Sequence, residues 1–270
     1  RYTIMYKMAV IGKDVSKSDS AKMHTFDFRG LGSECEYELI SVSKEDLDST
    51  VKRLMSGDYD AFNVTIPYKL DIIPYLDRLE GDARTFGAVN LVKEKVGYNT
   101  DGIGFQLLLE NNGIRPKGMK VLVLGAGGAG RSAVKKLADA GADVYVYDLR
   151  KESVDKLYEE FECFTPLAVL EPDDYDLIIN ITGVGMHKTE GISPVGADIL
   201  SRTKMACDLI YYPRKSEFLR IAESLGKPIL NGEGMLFYQA YYGDCIVLGR
   251  EPNAEEAKAL FEEYRRVYPD

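Results

Sequence analysis

Short apolar runs alternate with amphipathic stretches along the N-terminal part of the chain. Apolar runs of four to eight residues between turn-forming residues are typical of strands, and apolar positions repeating every three or four residues are typical of helices. The pattern predicts strands at residues 5–11, 36–42 and 61–65 and helices at 21–31 and 44–55. Pro67 predicts the start of another helix, because proline fits the first helical position. This alternation predicts parallel strands covered by helices.

A sharper strand–helix–strand unit begins near residue 120. Residues 121–124 form a continuous apolar run, as expected for a strand that is buried on both faces. A glycine-rich segment follows, and then a helical stretch at 131–140 and a second strand at 144–147. Further strands are predicted at 177–181 and 205–210, and further helices at 102–111, 235–248 and 254–267.

Gly125, Gly127 and Gly130 form a G-x-G-x-x-G pattern between the buried strand and the helix. In a dinucleotide-binding unit the first glycine allows a tight turn, the second lets the backbone approach a pyrophosphate, and the third lets helix and strand pack closely. The helix N-terminus adds unpaired N–H groups that can bind phosphate. Since glycines also mark ordinary turns, the flanking strand and helix are what favour a dinucleotide site.

Asp148 ends the second strand of this unit. A carboxylate there can accept hydrogen bonds from a ribose 2′-hydroxyl and would repel a 2′-phosphate, so the position favours NAD over NADP. The alternative is that Asp148 only caps a turn. Arg150 keeps NADP possible, because a guanidinium can hold a 2′-phosphate.

These elements predict an α/β protein built from two α/β domains. The first comprises residues 1–101 and 235–270, and the second, residues 102–234, is a Rossmann-like dinucleotide-binding domain. Small ligands commonly bind in clefts between domains, so we expect the first domain to bind the substrate beside such a cleft.

Composition narrows the classes of partner. The chain has 270 residues and a net charge of -9, so its electrostatic field repels polyanions. The charge therefore does not favour binding to nucleic acid or to an anionic membrane. Its four cysteines are widely separated, which argues against a structural metal site or a disulfide framework. No apolar run has the roughly 18 residues that a membrane helix needs. We expect a cytoplasmic protein with a small-molecule substrate.

Several motifs occur in a fixed order along the chain. Before the glycine-rich loop stand Asn63-Val64-Thr65-Ile66-Pro67-Tyr68-Lys69, Gly87-Ala88-Val89-Asn90 and Asn99-Thr100-Asp101-Gly102. Outside them lie Ser18, Ser20 and His24, then Asp176-Leu177-Ile178-Ile179-Asn180 with Thr182, then Asp208, Tyr211 and Pro213, and finally Gly234-Met235-Leu236 with Gln239-Ala240. In this order they resemble the shikimate and quinate dehydrogenase family over nearly the whole chain.

The resemblance implies a reversible, NAD(P)-dependent reduction of 3-dehydroshikimate to shikimate, with Lys69 and Asp101 as the acid–base pair. Without these flanking motifs, a solvated lysine and a helix cap would be the simpler interpretations of the two residues. The implied substrate residues are Ser18, Ser20 and Tyr211 at the carboxylate and Thr65, Asn90 and Gln239 at the ring hydroxyls. The implied cofactor residues are Gly125, Ala126, Gly127, Gly128, Ala129, Gly130, Asp148, Arg150, Thr182, Gly232 and Met235, and no metal is implied.

The chain also departs from the family pattern. Asp14, Lys17 and Ala21 stand where proline, histidine and proline are common, and the N-R-T-x-x-R arginines of many NADP-using members are missing after the second strand. Ser20 favours shikimate, since relatives that prefer quinate tend to have threonine there. A quinate or dual-specificity dehydrogenase and a non-catalytic dinucleotide sensor of the same fold stay open as alternatives, as do a monomer and a homodimer.

Overall fold

The computed structural model describes residues 4–269 and has a mixed α/β fold. Its strands are β1 (Met5–Gly12), β2 (Glu34–Ser41), β3 (Ala61–Val64), β4 (Arg78–Leu79), β5 (Leu91–Lys93), β6 (Val96–Tyr98), β7 (Lys120–Leu124), β8 (Asp143–Tyr147), β9 (Thr165–Pro166), β10 (Leu177–Asn180), β11 (Ala206–Asp208) and β12 (Ile229–Leu230). Its helices are α1 (Ser20–Gly30), α2 (Leu47–Leu54), α3 (Asp82–Phe86), α4 (Asp101–Asn111), α5 (Gly128–Asp139), α6 (Lys151–Phe161), α7 (Ala197–Leu200), α8 (Glu217–Ser224), α9 (Glu233–Leu248) and α10 (Ala254–Val267), with short 3-10 turns at Ile73–Tyr75 and His187–Thr189.

The chain divides into two compact units. The first runs to Gly104 and resumes at Phe237, and the second is Phe105–Leu236. Helices α4 and α9 each contain one of these boundaries, so the predicted domain limits at 101 and 235 differ from them by a few residues. Residues 1–3 and 270 of the predicted first domain lie outside the described residues.

The first unit contains a six-stranded sheet in the order β2-β1-β3-β5-β6-β4. Strand β1 is parallel to β2 and β3, as the sequence pattern predicts. Strand β5, however, is antiparallel to both β3 and β6, and the pattern did not predict this hairpin. Because Leu91 pairs with Tyr98, the hairpin places Asn90 at one end of the sheet beside Asn99 and Thr100.

The segment after β3 also differs from its prediction. Residues 66–72 form turns rather than a helix beginning at Pro67. The buried side chain of Tyr68 anchors these turns, because its hydroxyl donates to the Val42 carbonyl oxygen at 2.6 Å. The Lys69 carbonyl oxygen accepts from the Val89 N–H at 2.9 Å, so the turn is fixed beside the segment that leads into β5.

The second unit contains a parallel six-stranded sheet in the order β12-β11-β10-β7-β8-β9. The sequence predicts β7 and β8 within one residue of their observed bounds. The strand order reverses at β7, which lies between β8 and β10. Ligands of open parallel sheets bind at such a reversal, beyond the carboxyl ends of the strands. Two apolar clusters cover the sheet, and Val121 and Val123 lie in one while Leu122 and Leu124 lie in the other.

Candidate active site and dinucleotide-binding loop

Lys69 and Asp101 form an ion pair in the first unit. The Lys69 Nζ donates to Asp101 Oδ2 at 2.5 Å, and the two side chains are 24% and 13% exposed. Asp101 is the first residue of α4, and its N–H donates to the Asn99 side-chain oxygen at 3.0 Å. The pair is thus held on a turn and a helix start, and it remains open to a ligand.

Asn90 orients the carboxylate of this pair. It is 3% exposed, and its Nδ2 donates to Thr100 Oγ1 at 2.9 Å, to Asp101 Oδ1 at 3.1 Å and to Gln239 Oε1 at 3.2 Å. Its own oxygen accepts from the Thr100 N–H at 3.0 Å. One amide therefore brings together polar residues from the β5–β6 hairpin, α4 and α9.

Two residues of this network have no role in the sequence analysis, although its motifs contain both. Asn63 Nδ2 donates to the Asn90 carbonyl oxygen at 3.1 Å. Thr100 Oγ1 donates to the Gln239 carbonyl oxygen at 2.8 Å. The available signal was their place inside two of the quoted motifs, Asn63 directly before Val64 and Thr100 directly before Asp101.

Ser18 and Ser20 lie together where α1 begins. The Ser18 hydroxyl donates to Ser20 Oγ at 2.9 Å, and the Ser20 N–H donates back to Ser18 Oγ at 3.2 Å. Asp14, one of the atypical residues, accepts from the Ser16 N–H and hydroxyl and so orders the preceding turn. Thr65 lies at the carboxyl end of β3, and its N–H donates to the Ile11 carbonyl oxygen at 2.9 Å.

Tyr211 follows β11 and belongs to the second unit. Its assignment to the substrate carboxylate, together with Ser18 and Ser20 of the first unit, stays a prediction.

The glycine-rich loop lies at the end of β7. Gly125 has φ of 111°, and a Cβ on it would stand 3.0 Å from the Thr182 nitrogen, so this position requires glycine. A Cβ on Gly130 would stand 2.4 Å from the Gly125 oxygen, which explains the close packing of α5 on the loop. Gly127 and Gly128, by contrast, border open space at the N-terminus of α5.

Three further predicted cofactor residues, Thr182, Gly232 and Met235, also belong to the second unit. The Thr182 hydroxyl donates to Asn180 Oδ1 at 2.7 Å just beyond β10. A Cβ on Gly232 would stand 2.0 Å from the Leu209 oxygen, so this glycine permits two backbone segments to touch. Met235 packs against the apolar cluster of the second unit.

Asp148 is held by the backbone of its own loop. Its Oδ2 accepts from the Ala126 N–H at 2.9 Å and its Oδ1 accepts from the Arg150 N–H at 2.8 Å. Burial alone would raise the pKa of Asp148, but these backbone donors and the Arg150 side chain outweigh it and the pKa lies below its ordinary value. The residue is therefore an anion at neutral pH, while the Arg150 side chain is 71% exposed.

The described residues offer neither a metal site nor a membrane span. Among residues 4–269, no group of three or more histidine, cysteine, aspartate or glutamate side chains could hold a metal ion. Within the same described part of the chain, none of the helices has the length and apolar character needed to cross a membrane.

Comparison with known proteins gives consistent relatives. Residues 10–92 match the shikimate dehydrogenase substrate binding domain, and residues 106–173 match the C-terminal domain of alanine dehydrogenase/PNT. A shikimate dehydrogenase (NADP(+)) of Bacillus cereus strain AH187 is 35% identical over 266 residues, covering 93% of this chain and 95% of the relative.

Solved structures show the same likeness over the whole fold. A chorismate mutase/shikimate 5-dehydrogenase fusion protein from Clostridium acetobutylicum has a TM-score of 0.88 and 32% identity, with 100% of both chains covered. Shikimate 5-dehydrogenase from Thermus thermophilus, in complex with NADP(H) and shikimate, has a TM-score of 0.85 and 32% identity over 96% of this chain and 100% of that one.

Proposed function

Since the chain belongs to the shikimate dehydrogenase family of oxidoreductases, we propose that it interconverts 3-dehydroshikimate and shikimate with a nicotinamide dinucleotide. The observation that carries the proposal is the Lys69–Asp101 pair, partly open to solvent and oriented by Asn90. A secondary alcohol can be oxidised only if a positioned group takes its hydroxyl proton. The pair supplies such a group.

Lys69 is assigned the proton transfer. In the reducing direction its ammonium gives a proton to the substrate oxygen, and in the oxidising direction its amine takes the proton from the hydroxyl. Asp101 holds the Lys69 Nζ in place, and Asn90 keeps the Asp101 carboxylate from turning away. Ser18 and Ser20 are assigned to the substrate carboxylate and Thr65, Asn90 and Gln239 to its ring hydroxyls, because each polar group left unpaired on binding would reduce affinity.

The glycine-rich loop of the second unit fits a dinucleotide. Gly127 and Gly128 leave space at an uncapped helix start, where backbone N–H groups can bind a pyrophosphate. Gly125, Ala126, Ala129, Gly130, Thr182, Gly232 and Met235 complete the proposed cofactor set. When bound, the nicotinamide supplies or accepts the hydride.

We infer a preference for NAD at the ribose position. The Asp148 carboxylate is anionic and fixed by two backbone donors, and Leu149 rather than an arginine follows it. The B. cereus relative is named for NADP(+), and Arg150 is the residue through which NADP could still bind. NAD is therefore the proposed cofactor and NADP the alternative.

A steady-state assay tests the proposal. Shikimate and quinate are each combined with NAD and with NADP, and the absorbance of the reduced nicotinamide is followed. Shikimate with NAD should give the highest kcat/KM. Faster turnover of quinate would favour the quinate or dual dehydrogenase, and dinucleotide binding without oxidation of either substrate would favour the sensor.

The assembly and the compartment are proposed from the class of substrate and from the cysteines. Catalysis on a small-molecule substrate needs no further protein partner, so we expect a monomer or a homodimer. Light scattering distinguishes these two states. The four cysteines are free thiols, which suits the reducing cytoplasm. Cell fractionation tests that assignment.

A further inference from the structure

A buried polar cluster lies within the first unit, apart from the Lys69–Asp101 pair. His24 and Asp27 lie on α1 and Asp244 lies on α9, and the three residues are at most 1% exposed. His24 Nδ1 is 2.6 Å from Asp244 Oδ1. Burying carboxyl groups costs stability unless they are fully paired, and both oxygens of Asp27 and one of Asp244 lack a partner among the described residues. The proposed reaction gives this costly cluster no role.

Tyr37 connects the cluster to the proposed substrate residues. Its ring stacks on the His24 imidazole with centroids 4.5 Å apart and planes at 10°. Its hydroxyl donates to Asn63 Oδ1 at 2.6 Å. Tyr37 thus contacts two residues on different elements, His24 of α1 through its ring and Asn63 of β3 through its hydroxyl.

The hydrogen bonds continue beyond Asn63. Asn63 donates to the Asn90 carbonyl oxygen at 3.1 Å, and the Asn90 side chain donates to Asp101 at 3.1 Å. The chain of contacts therefore runs from the buried cluster to the proposed acid–base pair.

We propose that Tyr37, held in place by the His24–Asp244 pair, is a positioning residue that fixes Asn63 and, through it, the placement of Asn90 beside the Lys69–Asp101 pair. The inference rests on the proposed function. Because Asn63 Oδ1 accepts from Tyr37, the Asn63 amide nitrogen is directed toward Asn90. Because Asn63 in turn donates to the Asn90 carbonyl oxygen, the segment carrying Asn90 is already ordered before a substrate hydroxyl binds, which lowers the entropic cost of binding.

Removing the Tyr37 hydroxyl tests this role. Tyr37→Phe should raise the KM for shikimate about 5-fold, the effect of losing one neutral hydrogen bond that supports the binding site, and leave kcat within about 2-fold. The KM for the dinucleotide should not change. Tyr59→Phe is the matched control, since the Tyr59 hydroxyl also donates to a side chain of this unit, Glu38, at 2.8 Å. An unchanged shikimate KM in Tyr37→Phe would overturn the proposal.

The His24–Asp244 pair is tested by two substitutions at one position. Asp244→Asn keeps a group that can hydrogen-bond to His24, so the shikimate KM should stay near the wild-type value. Asp244→Leu removes that partner and should raise the KM toward that of Tyr37→Phe. Equal KM values in both variants would show that the pair does not hold Tyr37. If Asp244→Leu fails to fold, the Tyr37→Phe comparison still decides the proposal.

A measurement without substrate separates this inference from the proposed function. In ligand-free protein labelled with ¹⁵N-asparagine, Tyr37→Phe should shift the side-chain amide resonances of Asn63 and Asn90, and Tyr59→Phe should not. A wild-type protein that leaves shikimate unreacted would overturn the proposed function alone. Unmoved Asn63 and Asn90 resonances in Tyr37→Phe would overturn the positioning role alone.

Discussion

Asn90 shows how one side chain can order a proton-transfer site. A carboxamide has two donor hydrogens and an acceptor oxygen, and Asn90 engages all of them within the first unit. Its orientation is fixed because the Thr100 N–H can only donate, which assigns the oxygen to that side. Asp101 must then face the amide nitrogen with one oxygen and Lys69 with the other.

Lys69 carries the first prediction at this scale. Lys69→Ala should lower kcat by about 10² to 10⁴-fold, the loss typical of a positioned acid–base group. The dissociation constant for the dinucleotide should hardly change, because the Gly125 loop belongs to the second unit. Lys52→Ala serves as a control, since Lys52 also forms an ion pair with an aspartate but on the exposed surface of α2. A Lys69→Ala protein with near-wild-type kcat at saturating shikimate would leave Asp101 as the proton acceptor.

Asp148 carries the second prediction. Asp148→Asn should reduce kcat/KM with NAD, raise it with NADP and change the ratio by about 10-fold, because the carboxylate both attracts the ribose hydroxyls and excludes the 2′-phosphate. Arg150→Ala should lower kcat/KM with NADP only. The measurement is the pair of kcat/KM values for each protein. A higher wild-type kcat/KM with NADP would mean that Arg150, rather than Asp148, governs the site.

Among the elements, periodicity predicted long buried strands better than short ones. Strand β7 was predicted because a run of four consecutive apolar residues directly before a glycine-rich loop is typical of a buried strand. The β5–β6 hairpin was missed because each strand has three residues and its turn, at Glu94 and Lys95, has positive φ without glycine. The usual Asn-Gly or Asp-Gly hairpin signal is therefore missing. The motifs nevertheless contain Asn90, Thr100 and Asp101, which that hairpin brings together, although they assign no role to Thr100.

Helix α5 gives a prediction about packing. Gly130→Ala should lower the free energy of unfolding by about 1 to 3 kcal/mol, because its methyl group would stand 2.4 Å from the Gly125 oxygen and force α5 away from the loop. Gly128→Ala is the matched control, since a methyl group there would enter open space on the same helix. Urea unfolding without dinucleotide measures both. Equal stabilities would show that the loop and helix can separate without cost.

At the scale of the whole molecule, the comparisons confirm the α/β fold and the family that the sequence predicted. The roles of individual site residues stay predictions, although the structure brings several of them together. The buried cluster could not be predicted, because His24 and Asp244 lie 220 residues apart and neither stands in a motif with its partner. Only tertiary packing shows that α1 and α9 bury ionisable side chains against each other within the first unit.

This cluster predicts how stability depends on pH. Burial raises the pKa of Asp27 well above its ordinary value, and the charge of Asp244 raises it further. A folded-state pKa above the unfolded one means that the unfolded chain holds fewer protons between the two values, so stability falls as pH rises through that window. His24 has the opposite effect on stability. Burial lowers its pKa to about 3, so the stability that it contributes is lost as pH falls below the unfolded-state pKa of about 6.5.

Asp27→Asn separates the Asp27 contribution from that of His24. The variant keeps the size of the side chain and cannot ionise, so it should match the wild type near pH 4 and be more stable by about 1 to 3 kcal/mol near pH 8, the range for relieving a buried unpaired polar group. Urea unfolding across this pH range provides the measurement, with exposed Asp58→Asn as a control for the change in net charge. Wild-type and Asp27→Asn curves that stay parallel from pH 4 to pH 8 would show that Asp27 has the same pKa in the folded and unfolded states, which would contradict the predicted effect of its burial. A shared loss of stability below about pH 6 in both proteins is expected, because His24 is unchanged and the unfolded chain still gains its proton there.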